Sequence, residues 1–482
     1  MHQKILIIFA PILFLLVTRS WAQNGDDLFK DSVLHKIEFF GTDISQISNP
    51  AYKGIYQSVD IKIDGTFVEQ VGLTTKGEKS YLAALNDKKP FKIKINNYIS
   101  GQKYDGIKRF NLHNNTYDKG IMREKLTSDA SLALGIAAPR IAFAEVYING
   151  DYWGIYTLVE AQDEIYKRTF GDNNGYAMES FGSAANIDNM AYYGSSPEDY
   201  VGQYIVDHGE EAKAWSYWIN MLYKVRTLPA RVAYVDSVSK YIDYTSYFKF
   251  NAVLDYNLNA ESKNRNGIYY YDLTKRKWMT ICWDQNVSFA DFTDADKSAF
   301  PNTQCTAFLD KYFLYHQFQE VYDNTLCQLS NIIFTDSVVN SKVMRFRRII
   351  DKAVERDTRK GFSYEQYEKS LLDLRNFIDT RNNITLKFLA DKKYSCETTG
   401  LNPDILESGI RIYPIPAKND LNITTPDNQR FDYAITSMQG SLLLKGEINN
   451  SQIDVSSLPA GIYILEIFHK SRRVTEMKIV KS

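Results

Sequence analysis

Acidic and amide side chains gather between residues 253 and 292, among them Asp255, Asn259, Asn264 and Asn266, then Asp284 and Asn286. Between the two groups lie apolar runs at 267–272 and 278–283, joined by a basic turn at 273–277, which reads as a β-hairpin. A carboxylate and amides ahead of a hairpin, with another carboxylate just beyond it, suit phosphoryl transfer. One carboxylate takes or orients the proton of the nucleophile, an amide supplies a metal ligand, and the second carboxylate holds Mg²⁺ against nucleotide phosphates. The same residues also suit an exposed hairpin, because Asn and Asp favour turns through local side-chain hydrogen bonds.

The elements that must position these groups lie on both sides. Upstream, residues 32–150 read mostly as short strands at 37–40, 58–63, 66–73, 91–95 and 110–112. Between the third and fourth lies a loop at 74–80 holding Lys76, Gly77 and Ser80, and the next strand carries Lys92. Such a loop can cover phosphates with backbone N–H groups while a strand lysine contacts them. A basic, glycine-containing hairpin is the plainer alternative. A helix at 122–134, with Asp118 able to cap it and Gly135 to end it, carries Glu124 in its first turns. There Glu124 either pairs with a lysine or simply favours the positive end of the helix. Strands at 140–148 and 152–160 flank Asn149–Gly150, a type I′ turn signal, and Glu160 closes that hairpin where a hinge residue would stand. Downstream, the polar stretch 182–241 suits a segment covering a cleft, with a helix near 209–222 whose Trp215 and Trp218 read as core contacts. Helical periodicity follows at 312–329, 337–357 and 364–390, with Arg345, Arg347 and Arg348 on a solvated face.

Composition bounds the rest. The 482 residues are 44% hydrophobic, ample for two folded domains, and 57 basic residues nearly balance 58 acidic ones. No overall field therefore favours nucleic acid or an anionic membrane. Residues 1–22 have the short basic start, apolar run and small residues of a secretory signal peptide, with Gln23 as the new N-terminus. No later stretch reaches spanning length, so no transmembrane segment is expected in the mature chain. Of four cysteines, Cys282 reads as a buried thiol, and a disulfide among Cys305, Cys327 and Cys396 is open as to pairing.

The blocks KGEKS, KPFKIKI, KRFNLHN, MREKL…LGIAAPR, VYINGDYWGIYTLVE and WDQNVSF, in this order over 37–389, resemble the spore-coat protein H (CotH) kinase family. The resemblance implies an α+β fold, an atypical protein-kinase-like two-lobed domain over 23–397. It implies ATP and Mg²⁺ or Mn²⁺ as cofactors and serine or threonine of a protein as substrate. Asp255 would be the catalytic carboxylate. Lys76, Gly77, Ser80, Lys92, Glu124 and Glu160 would meet the nucleotide, and Asn266, Asp284 and Asn286 the metal. Departures from the family pattern are Thr74 for arginine, Glu78–Lys79–Ser80 for Asn-Ser-Ser, Met178–Glu179 in place of a lysine, and Asn286 for a second aspartate. Glu78 would repel ATP unless Lys79 neutralises it, and a rival alignment puts Asn259 in the place of Asp255. The other function class is thus a catalytically silent, kinase-like surface binding or adhesion protein. Phosphoryl and nucleotidyl transfer both remain open.

A linker rich in turn residues covers 398–409, and 410–482 alternates in short strands as a small all-β sandwich would. The blocks IRIYPIPAKNDLNI, ITSMQGSLLLKG and IDVSSLPAGIYILEI resemble the C-terminal sorting domain of type IX secretion cargo in Bacteroidetes. That resemblance implies the type IX machinery as partner, and passage through the periplasm to the cell surface or the medium. An adhesive domain is the alternative.

Overall fold

The computed structural model describes residues 24–396 and 411–481, apart from 85–86, 182–189, 230–232, 260, 262–265, 290–299, 302–307, 414–416, 425–430, 438–440, 449–451 and 470–471. The signal peptide expected at 1–22, the linker at 398–409, Asn264 and Cys305 lie outside the described residues. The chain divides into two compact units, one spanning Gln23–Pro403 and the other Asp404–Ser482.

Seven strands of the larger unit close into a barrel: β1 (Leu34–Phe40), β2 (Gln57–Ile63), β3 (Thr66–Thr75), β4 (Phe91–Lys94), β5 (Arg109–His113), β6 (Ile141–Ile148) and β7 (Asp151–Glu160). Alternation sets what each strand buries. β2 buries Val59, Ile61 and Ile63, and β4 buries Phe91 and Ile93 while Lys92 and Lys94 take the opposite face. These residues share one core with Leu73, Leu112, Val146 and Leu158. Closure comes from β1 lying parallel to β6, with Ile37 beside Val146, where every other barrel pairing is antiparallel. The β6–β7 turn places Asn149 at φ 52° and Gly150 at φ 92°, the left-handed pair that a type I′ hairpin needs.

The remaining elements of this unit are a four-stranded sheet and long helices. The sheet runs β11-β10-β8-β9, with β8 at Tyr176–Ser180, β9 at Tyr204–His208, β10 at Ile268–Asp272 and β11 at Lys277–Ile281. The helices are α1 (Arg123–Ala133), α2 (Gln162–Phe170), α3 (Glu211–Thr227), α4 (Tyr244–Tyr256), α5 (His316–Gln328), α6 (Asp336–Arg356) and α7 (Tyr364–Asp391). Asp118 serves α1 from outside the helix, accepting the Arg123 N–H at 2.7 Å. Trp218 is fully buried, edge-on to Trp278 at 5.0 Å. The arginines expected on a solvated face are partly tied down. Arg345 holds Asp31 at 3.1 Å, and Arg347 pairs with Asp351 and Glu368. A disulfide joins Cys327 to Cys396, and Cys282 is a buried free thiol pushed up to about 12, chiefly by burial.

The smaller unit has a three-stranded sheet, β12-β13-β16, and a four-stranded one, β15-β14-β17-β18. Their ranges are β12 Arg411–Tyr413, β13 Asp420–Thr424, β14 Asp432–Ser437, β15 Leu442–Glu447, β16 Gln452–Asp454, β17 Gly461–His469 and β18 Arg472–Lys481. Both sheets feed one core: Leu421, Ile423 and Ile453 from the first, Ile435, Leu465 and Ile467 from the second. Among the described residues, no helix is long and apolar enough to cross a membrane.

Candidate functional site

Strand pairing brings the lysine loop and the second strand lysine together. Thr74 pairs with Lys92 across β3 and β4, and Lys92 with Asn111 across β4 and β5. Lys76, one residue past the end of β3, is fixed by its N–H donating to the Pro90 carbonyl at 3.0 Å. Gly77 follows at φ 74°, and a Cβ there would stand 2.5 Å from Ser80 Oγ, so only glycine makes this turn without displacing Ser80. The result is a cleft of about 320 Å³. Lys76, Gly77, Lys92, Arg109 and Asn111 line it from the barrel, and Ala161, Gln162, Asp163 and Tyr166 from the start of α2. Glu179, Asp207, His208 and Trp283 line it from the second sheet and beyond.

Behind the cleft, charges are linked in series. Lys76 Nζ lies 2.9 Å from His113 Nε2, and His113 Nδ1 lies 2.8 Å from Glu124 Oε2. The Lys76 ammonium also stands 5.5 Å from the centre of the Trp283 ring. Burial lowers the Lys76 pKa, with Asp284 and Glu124 working against that shift. Asp284 accepts from both flanking amides, from Asn266 Nδ2 at 3.1 Å and Asn286 Nδ2 at 2.8 Å. Asn266 at φ 63° and Asp284 at φ 51° both have left-handed backbone, which Asn and Asp tolerate better than other side chains and which turns them away from the strand direction. Burial, then the nearby Glu124 carboxylate, raises the Asp284 pKa.

The donor set suits a hard divalent cation. The carboxylates of Glu124 and Asp284 lie within 4.8 Å of one another, with His113 beside them already engaged by Lys76 and Glu124, and among the described residues Glu124 Oε1 is buried with no hydrogen-bond partner. Two carboxylates forced together in a buried place are relieved by a cation between them, and oxygen ligands match Mg²⁺ or Mn²⁺. The amides of Asn266 and Asn286 can offer Oδ1 in place of Nδ2 by turning over.

Other expected residues fall elsewhere. Glu160 is wholly buried beneath two arginines, Arg140 at 2.7 Å and Arg168 at 2.8 Å, and the cleft is lined by the next residues, Ala161 and Gln162. Burial works to raise the Glu160 pKa, but the two guanidinium groups outweigh it and hold it down. Ser80 belongs to the short helix Lys79–Leu82 and does not line the cleft. Lys79 pairs with Glu261 at 3.0 Å, so it is not the neutraliser of Glu78. Asp255 is buried in the helices rather than open to the cleft, because α4 turns it toward α5, where Oδ2 accepts from Tyr322 at 2.5 Å. Asn259 is equally buried, donating to Gln285 at 2.9 Å and Ser288 at 3.2 Å.

Sequence reasoning assigned no role to His113, Glu179 or Asp207. Burial, then Asp207 and Asp284, push Glu179 up to about 7, while Lys76 and Lys92 pull it down. Asp207 is also raised, by burial, with Lys92 opposing. His113 was within reach of the sequence, since it ends the strand that pairs with the Lys92 strand. The Glu179 setting depends on its pairing with Ile268 across β8 and β10, which no local pattern reveals.

Residues 73–385 match the CotH kinase protein family, and residues 411–482 match the secretion system C-terminal sorting domain. Inner spore coat protein H of Bacillus subtilis (strain 168) is 24% identical over 280 residues, 55% of this chain and 74% of that protein. Beta-agarase D of Zobellia galactanivorans is 37% identical over 73 residues, 15% of each protein. Among solved structures, the Shewanella oneidensis toxin–antitoxin complex of HipA, HipB and operator DNA aligns at TM-score 0.32 and 11% identity. It covers 59% of this chain and 61% of that one. The Helicobacter pylori proinflammatory kinase CtkA aligns at TM-score 0.26 and 9% identity, covering 59% and 93%. The sorting domain marks the protein for type IX secretion to the cell surface or the extracellular space. One family match spans the lysine loop, α1 and the Trp283–Asp284 turn, and on that ground the chain belongs to the CotH kinase family.

Proposed function

We propose that this protein is a secreted kinase that transfers the γ-phosphoryl group of ATP to serine or threonine of a protein substrate, with Mg²⁺ or Mn²⁺. The observation that carries this reading is Lys76, held between His113 and Trp283 at the wall of a cleft it shares with Lys92, with Asp284 alongside. Lys76 uses one N–H on His113 and has two left for phosphate oxygens. Lys92 has no ion pair among the described residues and supplies a second cation from the same wall. Gly77 leaves room for a phosphate to approach the loop backbone. Asp284, with Asn266 and Asn286, would hold the cation, which when bound offsets charge on the transferring phosphoryl group. Asp255 in this reading works from behind: its carboxylate holds Tyr322 and its carbonyl accepts from Arg381 at 2.9 Å, which fixes the end of α4.

Thermal melting with ATP, with and without Mg²⁺ or Mn²⁺, tests binding, and radiolabelled transfer to a generic protein tests chemistry. A ligand at about 100 times its dissociation constant adds about 2.7 kcal/mol, a clear upward shift. Transfer should require metal and disappear in Asp284→Ala. A melting curve that ignores nucleotide and metal, with no transfer, would overturn this reading. It would favour a silent binding or adhesion module, for which the acidic side of the cleft (Asp163, Glu179 and Asp207) is the supporting observation.

A further inference from the structure

In the common kinase arrangement a helix glutamate grips the phosphate-binding lysine directly. Here, among the described residues, Glu124 makes no ion pair with a lysine; its carboxylate meets His113 instead. A lysine ammonium can only donate, so the ring nitrogen it touches, Nε2, must be the acceptor. The proton of the ring then sits on Nδ1 and donates to Glu124 Oε2. One tautomer of one neutral ring satisfies both contacts. Three elements converge to hold it: Lys76 extends from β3, His113 ends β5 paired to Thr157 of β7, and Glu124 opens α1. His113 is itself buried, so little water competes for either nitrogen.

We propose that His113 is a positioning residue for Lys76, a neutral spacer that passes the hold of Glu124 to the lysine and keeps its ammonium aimed into the cleft. The proposal rests on the kinase reading for its functional consequence, but its geometry can be tested without catalysis.

The closing experiment measures two things in His113→Leu, His113→Gln and Glu124→Ala. The first is trace acetylation of Lys76 by acetic anhydride in the nucleotide-free protein, read by mass spectrometry against Lys92 in the same sample. The second is the ATP KM and kcat. Leucine removes both contacts, so Lys76 should be released and its acetylation should rise several-fold. Glutamine can accept from lysine and donate to glutamate, so it should restore the wild-type level. Losing one charge-assisted hydrogen bond should raise the ATP KM about tenfold in His113→Leu with a smaller effect on kcat. Glu124→Ala cuts the same series at its far end and should also raise Lys76 acetylation, which keeps the test available where His113→Leu does not fold. Unchanged Lys76 acetylation in His113→Leu or, where that variant does not fold, in Glu124→Ala overturns the proposal, as does a glutamine variant indistinguishable from leucine. A wild-type protein that shows the expected acetylation pattern but no response to ATP supports the spacer and overturns the kinase reading alone.

Discussion

Glu179 faces Lys76 and Lys92 across the cleft. With its pKa at about 7, against an ordinary 4.5, the folded state holds this proton more tightly than the unfolded chain. Its contribution to stability is therefore greatest below about 4.5 and is lost as pH rises toward and through about 7. Glu179→Gln should melt close to wild type at the acid end of that window and above it at the alkaline end. Melting temperatures that differ by a constant amount across the window would refute this assignment. Asp284→Asn should separate stability from function. It removes a buried charge lodged beside Glu124, so the melting temperature should hold or rise while the metal-dependent nucleotide shift disappears. A destabilised variant that keeps the shift would contradict both parts. Lys76 and Asp284 were singled out in the sequence because both lie in blocks whose order carries the family resemblance. The setting of Glu179 was not legible, since it depends on neighbours supplied by other strands, and His113 sat within reach at the end of a readable strand without being given a role.

Elements were legible wherever local pattern decides them. The expected helix at 337–357 is α6, Asp336–Arg356, and the expected strand at 58–63 is β2, Gln57–Ile63. Barrel closure was not legible, because the β1–β6 pairing joins segments about a hundred residues apart and no turn announces it. A second long-range tie is just as silent in sequence. Asp357, directly after α6, is buried and takes the Lys88 ammonium at 2.5 Å and the Ile155 N–H of β7 at 3.0 Å. Gly154 makes room for it, since a Cβ there would fall 2.4 Å from Asp357 Oδ2. Asp357→Ala should cost about 3–5 kcal/mol, because it leaves a buried lysine uncompensated. Adding Lys88→Met should recover part of that loss. Urea unfolding of the single and double variants measures both, and a loss below about 1 kcal/mol in the single variant would mean the pair is solvated in practice.

At the scale of the whole molecule, two cores imply two separable jobs. The barrel core and the core of the terminal strands are each complete within their own unit. The sorting address was legible because its blocks are specific in order and content, whereas the Cys327–Cys396 pairing was not, since spacing alone leaves cysteine connectivity open. Both cysteines lie ahead of Pro403, so a chain ending there keeps the bridge that an oxidising compartment allows. Such a truncated chain should melt within about 2 °C of the larger unit in the full-length protein, a shift worth at most about 2 kcal/mol for a unit of this size. It should also keep any nucleotide response. In the native host it should accumulate in the periplasm, having lost the strands that the type IX machinery reads. Calorimetry on both chains, and surface protease accessibility in cells, measure the two halves of this prediction. A lowered melting temperature would mean that the units support each other. Surface display of the truncated chain would mean that the export address extends into the kinase-family unit, and either result would end the division of labour argued from the two cores.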